Sequence, residues 1–522
     1  MDVFEIVILL LLAGAGLAAF ARKIATPYPA LVAMAGAGLA LIPRVPTLVL
    51  DPELALALFV APVLLDAAFD ASQRDLRKNW RPITSLALGA VALTVVVVAF
   101  VAHWLVPAIP WAAAIALGAI VAPPDAAAAT AVLKQLKPPH RLLVILEGES
   151  LFNDASALLI YRIAVGTTAA GAILGWRILP MLLLVTIGSV ILGLALSPVI
   201  MFVNGKVEDV ATAVILQFCG TFAVWMIAER LHLSGILTVV VFAMAVSRRS
   251  GEITPARIRI PSYAVWEVAV FVLNVLAFLL VGFQLRLILQ RLDRPTLVHY
   301  GWLAGAVCIA TILARILWVT AAAAFSRRRK DSVDLDARAA AVVGWCGMRG
   351  TVTLAAALAL PAAFPSRDLI LFVSFAVVLG TLVVQGMSLR PLLSILKLED
   401  DGEVEHEVRL ARVETLRAAL GATEDCPGAE TAQLVRRRYE LLLHRAQVEL
   451  DGSDEEHGDD HDGVWRELEN DAEVIRFAAE AERKKLNQLR ADGTIGDAAF
   501  QVIEQELDLE ELDRQQLVRT SS

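Results

Sequence analysis

Between Val3 and Leu393 the chain runs from one long apolar stretch to the next, with short breaks that carry most of the charge. A helix needs roughly 20 apolar residues to cross a bilayer. Such spans are expected at Val3–Phe20, Pro29–Leu41, Leu54–Phe69, Ile83–Val106, Trp111–Leu133, Leu142–Val165, Ile178–Val203, Val210–Ala228, Leu233–Val246, Trp266–Leu289, Leu303–Phe325, Ala339–Ala363 and Leu369–Leu393. The expected fold class is therefore an all-α polytopic membrane protein with about thirteen transmembrane helices. With 57% hydrophobic and 19% charged residues, against about 25% charged in a soluble domain, a soluble globular protein, a disordered chain and a nucleic-acid binder are excluded. No cleavage site follows the first apolar run, so it is expected to stay as a helix.

Charge divides the chain in two. The formal net charge is −8, yet Asp401 to Ser522 holds 31 acidic and 15 basic residues. Residues 1–397 are read as the transmembrane domain. Residues 398–522 are read as an acidic, mostly helical cytosolic tail with a regulatory role. Within it Arg436–Leu450 and Val464–Leu489 have helical patterns, and the acidic stretch Asp451–Gly463 reads as a solvated linker. Basic residues gather in alternate connections, about 18 in one set against about 7 in the other. The richer set includes Arg74, Arg77, Lys78, Arg248, Arg249 and Arg327 to Arg329. Basic loops stay in the cytoplasm, so the N-terminus is expected outside and the tail inside. The four cysteines have no zinc or redox spacing and read as small apolar fillers.

Charges at bilayer depth are costly and need a partner or a watery cavity. They are Asp66, Asp125, Glu147, Glu149, Asp154, Glu267, Arg315 and Arg349. Asp70 and Arg162 lie nearer helix ends and can reach the interface. The densest group is Glu147 to Asp154, where Ser150 and Asp154 share one helix face, as do Glu149 and Asn153. A hydroxyl and a carboxylate together offer hard oxygen ligands for a small cation. A polar network that merely fixes packing is the alternative, and a costly one. Pro123 and Pro124, just before Asp125, remove two backbone donors and should unwind their helix. Three glycines around Arg349, in Gly344 to Gly350, mark a second interruption. Two interrupted helices, one in each half, suggest an inverted repeat whose breaks cross. Arg315 needs an anion, and Glu149 or Glu147 can supply it.

These stretches resemble the monovalent cation/proton antiporters, in particular the sodium/proton exchanger and NhaP branch. The motif Gly148 to Leu158 (GESLFNDASAL) carries the resemblance, supported by Phe59–Phe69, Gly118–Lys134, Ala314–Val319 and Gly344–Pro361 in family order. The resemblance implies that Asp154 binds either cation or proton and that Asn153 orients it. It implies that Ser150 and the Pro124 carbonyl lend oxygens to the metal cation, so that Asp154, Ser150 and Pro124 are its ligands. Asp125 would hold the first break or a ligand water, and Asp66 would act through water. Glu149 and Arg315 would form a structural ion pair, and Arg349 would lie at the second break. The family places Ser or Thr, then Asp-Pro, at the first break, whereas this chain has Pro123-Pro124-Asp125-Ala126. A hydroxyl is thereby lost, which leaves the choice among Na⁺, K⁺ and Li⁺ open.

The expected activity is exchange of Na⁺ or Li⁺ for H⁺, electroneutral and by alternating access, with K⁺/H⁺ exchange as the alternative. The Asn-Asp order goes with one-for-one exchange in the family. No cofactor is expected beyond the transported ions. The expected partners are monovalent cations, protons, the lipid bilayer and a second copy in a homodimer, with no nucleic acid. A channel is disfavoured because no Thr-Val-Gly-Tyr-Gly filter occurs, and an enzyme because no His-Glu-x-x-His motif occurs. The alanine-rich composition points to a prokaryotic plasma membrane.

Overall fold

The computed structural model describes residues 3–23, 26–40, 52–133, 138–170, 178–291, 293–329, 336–398, 402–424 and 430–451, together with 484–486, 488, 492 and 503. Among them all regular structure is helical. The expected tail helix Val464–Leu489 falls almost wholly outside these residues, as do the acidic stretch after Asp451 and Cys426. The chain divides into two compact units, Met1–Gly402 and Glu403–Ser522.

The first unit contains α1 (Val3–Lys23), α2 (Tyr28–Ala40), α3 (Pro52–Asp70), α4 (Gln73–Lys78), α5 (Trp80–Thr84), a π turn (Ser85–Ala90) and α6 (Val91–Leu105). It continues with α7 (Trp111–Val121), α8 (Ala126–Leu133), α9 (His140–Ala170), α10 (Ile178–Asn204), α11 (Val210–Arg230) and α12 (Gly235–Ile253). It ends with α13 (Ala256–Arg291), α14 (Arg294–Arg329), α15 (Ala337–Trp345), α16 (Thr351–Leu358) and α17 (Arg367–Leu396). In the second unit α18 (Glu403–Glu424) packs against α19 (Glu430–Asp451), the latter covering the helix expected at Arg436–Leu450.

Seven helical segments among the described residues are long and apolar enough to cross a membrane: Trp80–Leu105, Trp111–Thr130, Leu182–Asn204, Val210–Arg230, Ala256–Leu279, Arg294–Phe325 and Arg367–Leu396. That is fewer than the spans expected from the sequence, for physical reasons. The helix α9 is 31 residues long, but Glu147, Glu149, Asp154 and Arg162 dilute its apolar character. The helices α15 and α16 have only 9 and 8 residues, because a break divides them. On α10, Leu184, Ile187, Ile191 and Phe202 are exposed, as on a helix that faces lipid.

The two breaks fall where the residues demand them. Residues 122–125 interrupt the path from α7 to α8 at Pro123 and Pro124, which cannot donate to the helix ladder. Residues 346–350 interrupt the path from α15 to α16. The breaks touch, since the Asp125 N–H donates to the Met348 carbonyl at 2.7 Å. Gly350 sits so close to Asp125 that a Cβ there would overlap the carboxylate. The π turn makes a similar accommodation. The Trp318 indole occupies the space where a Cβ on Gly89 would lie, and its Nε1 donates to Ser85 Oγ at 3.2 Å. The Ser156 hydroxyl on α9 donates to the Ala87 carbonyl of the same turn at 2.7 Å.

Outside the spans, α4 docks on the start of α9. His140 Nε2 lies 3.2 Å from Asp75 Oδ2, and Arg141 Nε donates to Asn79 Oδ1 at 3.0 Å. Burial pushes the Asp75 carboxyl up, but hydrogen bonds from His140, Ser72 and Arg74 outweigh it and hold the group below the usual carboxylate range. A carboxylate lowered in this way supports docking at neutral pH and gives up that support as pH falls through its lowered pKa.

Gly350→Ala is expected to lower the thermal unfolding midpoint of the detergent-solubilised protein, since overpacking costs about 1–3 kcal/mol. Gly38→Ala, in open space, is expected to leave the midpoint unchanged. Equal midpoints for the two variants would count against the close approach of the breaks.

Candidate functional site

The crossed breaks create an electrostatic problem. Each half-helix end carries roughly half an elementary charge, positive at N-termini and negative at C-termini. Asp125 answers the N-termini. Its Oδ1 accepts from Ala127 N in the first turn of α8 at 2.9 Å, and its Oδ2 accepts from Thr351 N at the start of α16 at 3.4 Å. Arg349 answers the C-termini. Its Nε donates to the Val121 carbonyl at 2.7 Å and its Nη2 to the Ala122 carbonyl at 3.0 Å, both at the end of α7. Its Nη1 donates to the Gly347 carbonyl just past α15. The Arg349 backbone N–H is held in turn by Thr381 Oγ1 on α17 at 3.0 Å.

Next to this crossing runs α9. Arg315 on α14 donates through both terminal nitrogens to Glu149, with Nη2 2.8 Å from Oε2, and its Nε donates to the Val343 carbonyl in α15 at 3.0 Å. The side chains of Arg315 and Glu149 are 2% and 1% exposed, so this pair is sealed from water. Of the two glutamates open to Arg315 in the sequence, Glu149 is its partner and Glu147 is only partly buried.

One turn on, α9 reaches the first break. The Ser150 hydroxyl accepts from Ala126 N at 3.3 Å, and Asn153 Nδ2 donates to the Pro124 carbonyl at 3.4 Å. Asn153 Oδ1 is buried without a hydrogen-bond partner among the described residues. Asp154 is 4% exposed, and among the described residues no hydrogen bond or ion pair reaches its carboxylate. The structure thus gathers Pro124, Asp125, Ser150, Asn153 and Asp154 around one break. A buried carboxylate beside amide and carbonyl oxygens is a donor set for a small hard cation.

Asp66 lines a cavity of about 480 Å³ together with Tyr28, Phe69, Gln217, Trp266 and Glu267. None of Asp125, Ser150, Asn153 and Asp154 lines that cavity. Two further residues carry no sequence signal of their own. Thr381 is one hydroxyl in an apolar helix, and only the position of Arg349 reveals its use. Glu229 is a terminal charge on α11 until it is seen beside Arg162. His103, the one histidine inside an expected span, lies with Nδ1 3.0 Å from the Ile109 carbonyl and stacks on Trp111.

Comparison with known proteins bears on this arrangement directly. The profile of the sodium/hydrogen exchanger transmembrane family matches residues 7–395, from α1 to the end of α17. The chain belongs to that family. The exchanger is thus a multi-pass membrane transporter of monovalent cations and protons, not an enzyme. An Na⁺/H⁺ exchanger of Mycobacterium tuberculosis, described as uncharacterized, is 30% identical over 502 residues, covering 93% of this chain and 91% of the relative. A sodium, potassium, lithium and rubidium/H⁺ antiporter of Bacillus pumilus is 32% identical over 427 residues, covering 77% of this chain and 63% of the relative. Among solved structures, the sodium proton antiporter MjNhaP1 of Methanocaldococcus jannaschii superposes with a TM-score of 0.60 at 17% identity, covering 74% of this chain and 98% of that one. At that identity the likeness gives the exchanger the NhaP1-like fold.

Breaking a buried ion pair strands a charge and costs about 3–5 kcal/mol. Arg315→Ala is therefore expected to lower the melting midpoint of the exchanger sharply. The double variant Glu149→Gln/Arg315→Met should melt above Arg315→Ala, because it strands no charge. Circular dichroism or tryptophan fluorescence on heating would measure this. An Arg315→Ala protein with the wild-type profile would remove the pair from its structural role.

Proposed function

We propose that this exchanger moves Na⁺ or Li⁺ against H⁺, one for one, with Asp154 as the group that either ion neutralises. The observation that carries the reading is the isolation of the Asp154 carboxylate, 4% exposed on a helix otherwise provided with partners. An ionised carboxylate out of water is costly, and a bound proton or a bound cation removes the cost. Both cannot bind at full affinity. A body that crosses only when Asp154 is neutral then couples the two fluxes. Asn153 Oδ1, Ser150 Oγ and the Pro124 carbonyl supply further oxygens to the cation, with Asp154, Ser150 and Pro124 as its principal ligands. Asp125 holds the geometry of the first break, Arg349 that of the second, and Glu149 with Arg315 braces the helices between. Asp66 acts from the cavity on ions that approach through water.

In the same reading thirteen crossings form an inverted repeat. The pieces α5, the π turn and α6 make one crossing, α7 with α8 a second and α15 with α16 a third. The N-terminus lies outside, and the tail from 398 to 522 lies in the cytoplasm as a regulatory domain. The protein sits in a prokaryotic plasma membrane as a homodimer. Exchange of K⁺ for H⁺ by the same mechanism is the second reading. The Bacillus pumilus relative, named for sodium, potassium, lithium and rubidium, favours it, and hard oxygens alone do not select cation size.

The test is proton flux in proteoliposomes, followed by a pH-sensitive dye as Na⁺, Li⁺ and K⁺ are added in turn. Wild-type protein should respond to Na⁺ or Li⁺, and Asp154→Asn should not exceed empty vesicles although it folds. Robust exchange by Asp154→Asn would defeat the assignment. A response to K⁺ alone would keep the mechanism and transfer the cation to the second reading.

A further inference from the structure

Arg162 lies eight residues beyond Asp154 on α9, about 12 Å further along the helix. It leaves its own helix to donate to the Glu229 carboxylate at the end of α11, and its Nη1 donates to the Leu233 carbonyl at 3.2 Å. Leu233 belongs to the turn between α11 and α12, where His232 takes a left-handed φ of 57°. The turn is anchored, because Ser234 N donates to Ser189 Oγ on α10 at 2.9 Å and Ser234 Oγ caps α12 through Leu237 N at 3.3 Å. Glu229 and Leu233 are thus held as one block by α10, α11 and α12. Arg162 is a polar tie from α9 to that block.

The position of the tie matters. The cavity beside Asp66 includes Ser250 and Thr254, at the far end of α12 from Leu233. The two ends of this 19-residue helix are about 28 Å apart. The cavity therefore lies toward one end of α12 and the charged bridge toward the other. The Arg162 and Glu229 side chains are 38% and 37% exposed. Pairs exposed to this degree are weak and break readily, unlike the sealed Glu149–Arg315 pair.

We propose that Arg162 and Glu229 form a reversible gate, closed in this conformation, that opens whenever α9 moves against α10 to α12 and exposes Asp154 to the opposite side. Both are positioning residues for transport and neither binds the cation. The inference rests on the alternating-access reading above.

The experiment uses the full chain in proteoliposomes. In Arg162→Cys/Glu229→Cys a short bifunctional methanethiosulfonate joins the two positions, as verified by mass spectrometry. The single-cysteine variants treated alike serve as controls. Cross-linking should cut exchange at least tenfold, and a reductant should restore it. Fully cross-linked protein that keeps more than half of its exchange would overturn the gate. Charge reversal gives an independent measure: Arg162→Glu should lose exchange, and Arg162→Glu/Glu229→Arg should regain at least half of it. A swap no better than the single variant would likewise overturn the proposal. Wild-type vesicles run alongside separate the two ideas. If the wild type exchanges and the cross-linked form matches it, the gate fails while the exchanger reading stands.

Discussion

The molecule depends on neutralising four helix ends inside a region that water barely reaches. Two half-helix N-termini together present roughly one positive charge and two C-termini roughly one negative charge. Asp125 and Arg349 each carry the unit charge of opposite sign and reach the matching ends. Each also crosses from one broken segment to the other. A carboxylate from the first break caps the helix after the second, and a guanidinium from the second caps the helix before the first. The crossing is therefore closed on itself, and neither break can relax without uncapping the other.

On this base, three of the ionisable groups on α9 have surroundings that separate their roles. Glu149 is sealed against Arg315, and such a pair is too costly to break in each turnover. Asp154 has no partner among the described residues, which leaves its charge for whichever ion arrives. Arg162, more than a third exposed, holds Glu229 through a contact loose enough to be made and lost. Burial thus grades the groups along one helix, from brace to binding site to tie.

Much of this was legible in the sequence because membrane burial makes charge rare and therefore informative. Pro123 and Pro124 announced the first break, the glycines around Arg349 announced the second, and the need of Arg315 for an anion pointed to α9. What the sequence could not supply was the pairing of groups that are ordinary in isolation. Nothing in the composition of α17 marks Thr381 as the acceptor for Arg349 N–H. Arg162 and Glu229 each resemble a charge at a helix end, able to reach water alone. The choice of Glu149 over Glu147 needed the rotation of α9, which a glutamate on either side of Gly148 does not reveal. Helix α9 also shows where hydropathy fails, since the charges that make it functional lower its apolar signal.

The Glu149–Arg315 bridge has a consequence for the making of the protein. Its partners are 166 residues apart in the chain. At about 5–20 residues per second of synthesis, Glu149 waits on the order of ten to thirty seconds for Arg315 to emerge. During that interval α9 cannot settle into lipid with a bare carboxylate, so the glutamate enters the membrane protonated or remains at a wet protein surface. Arrival of α14 then gives the Glu149 carboxylate its partner. A truncation before Arg315 leaves that carboxylate without the guanidinium that neutralises it.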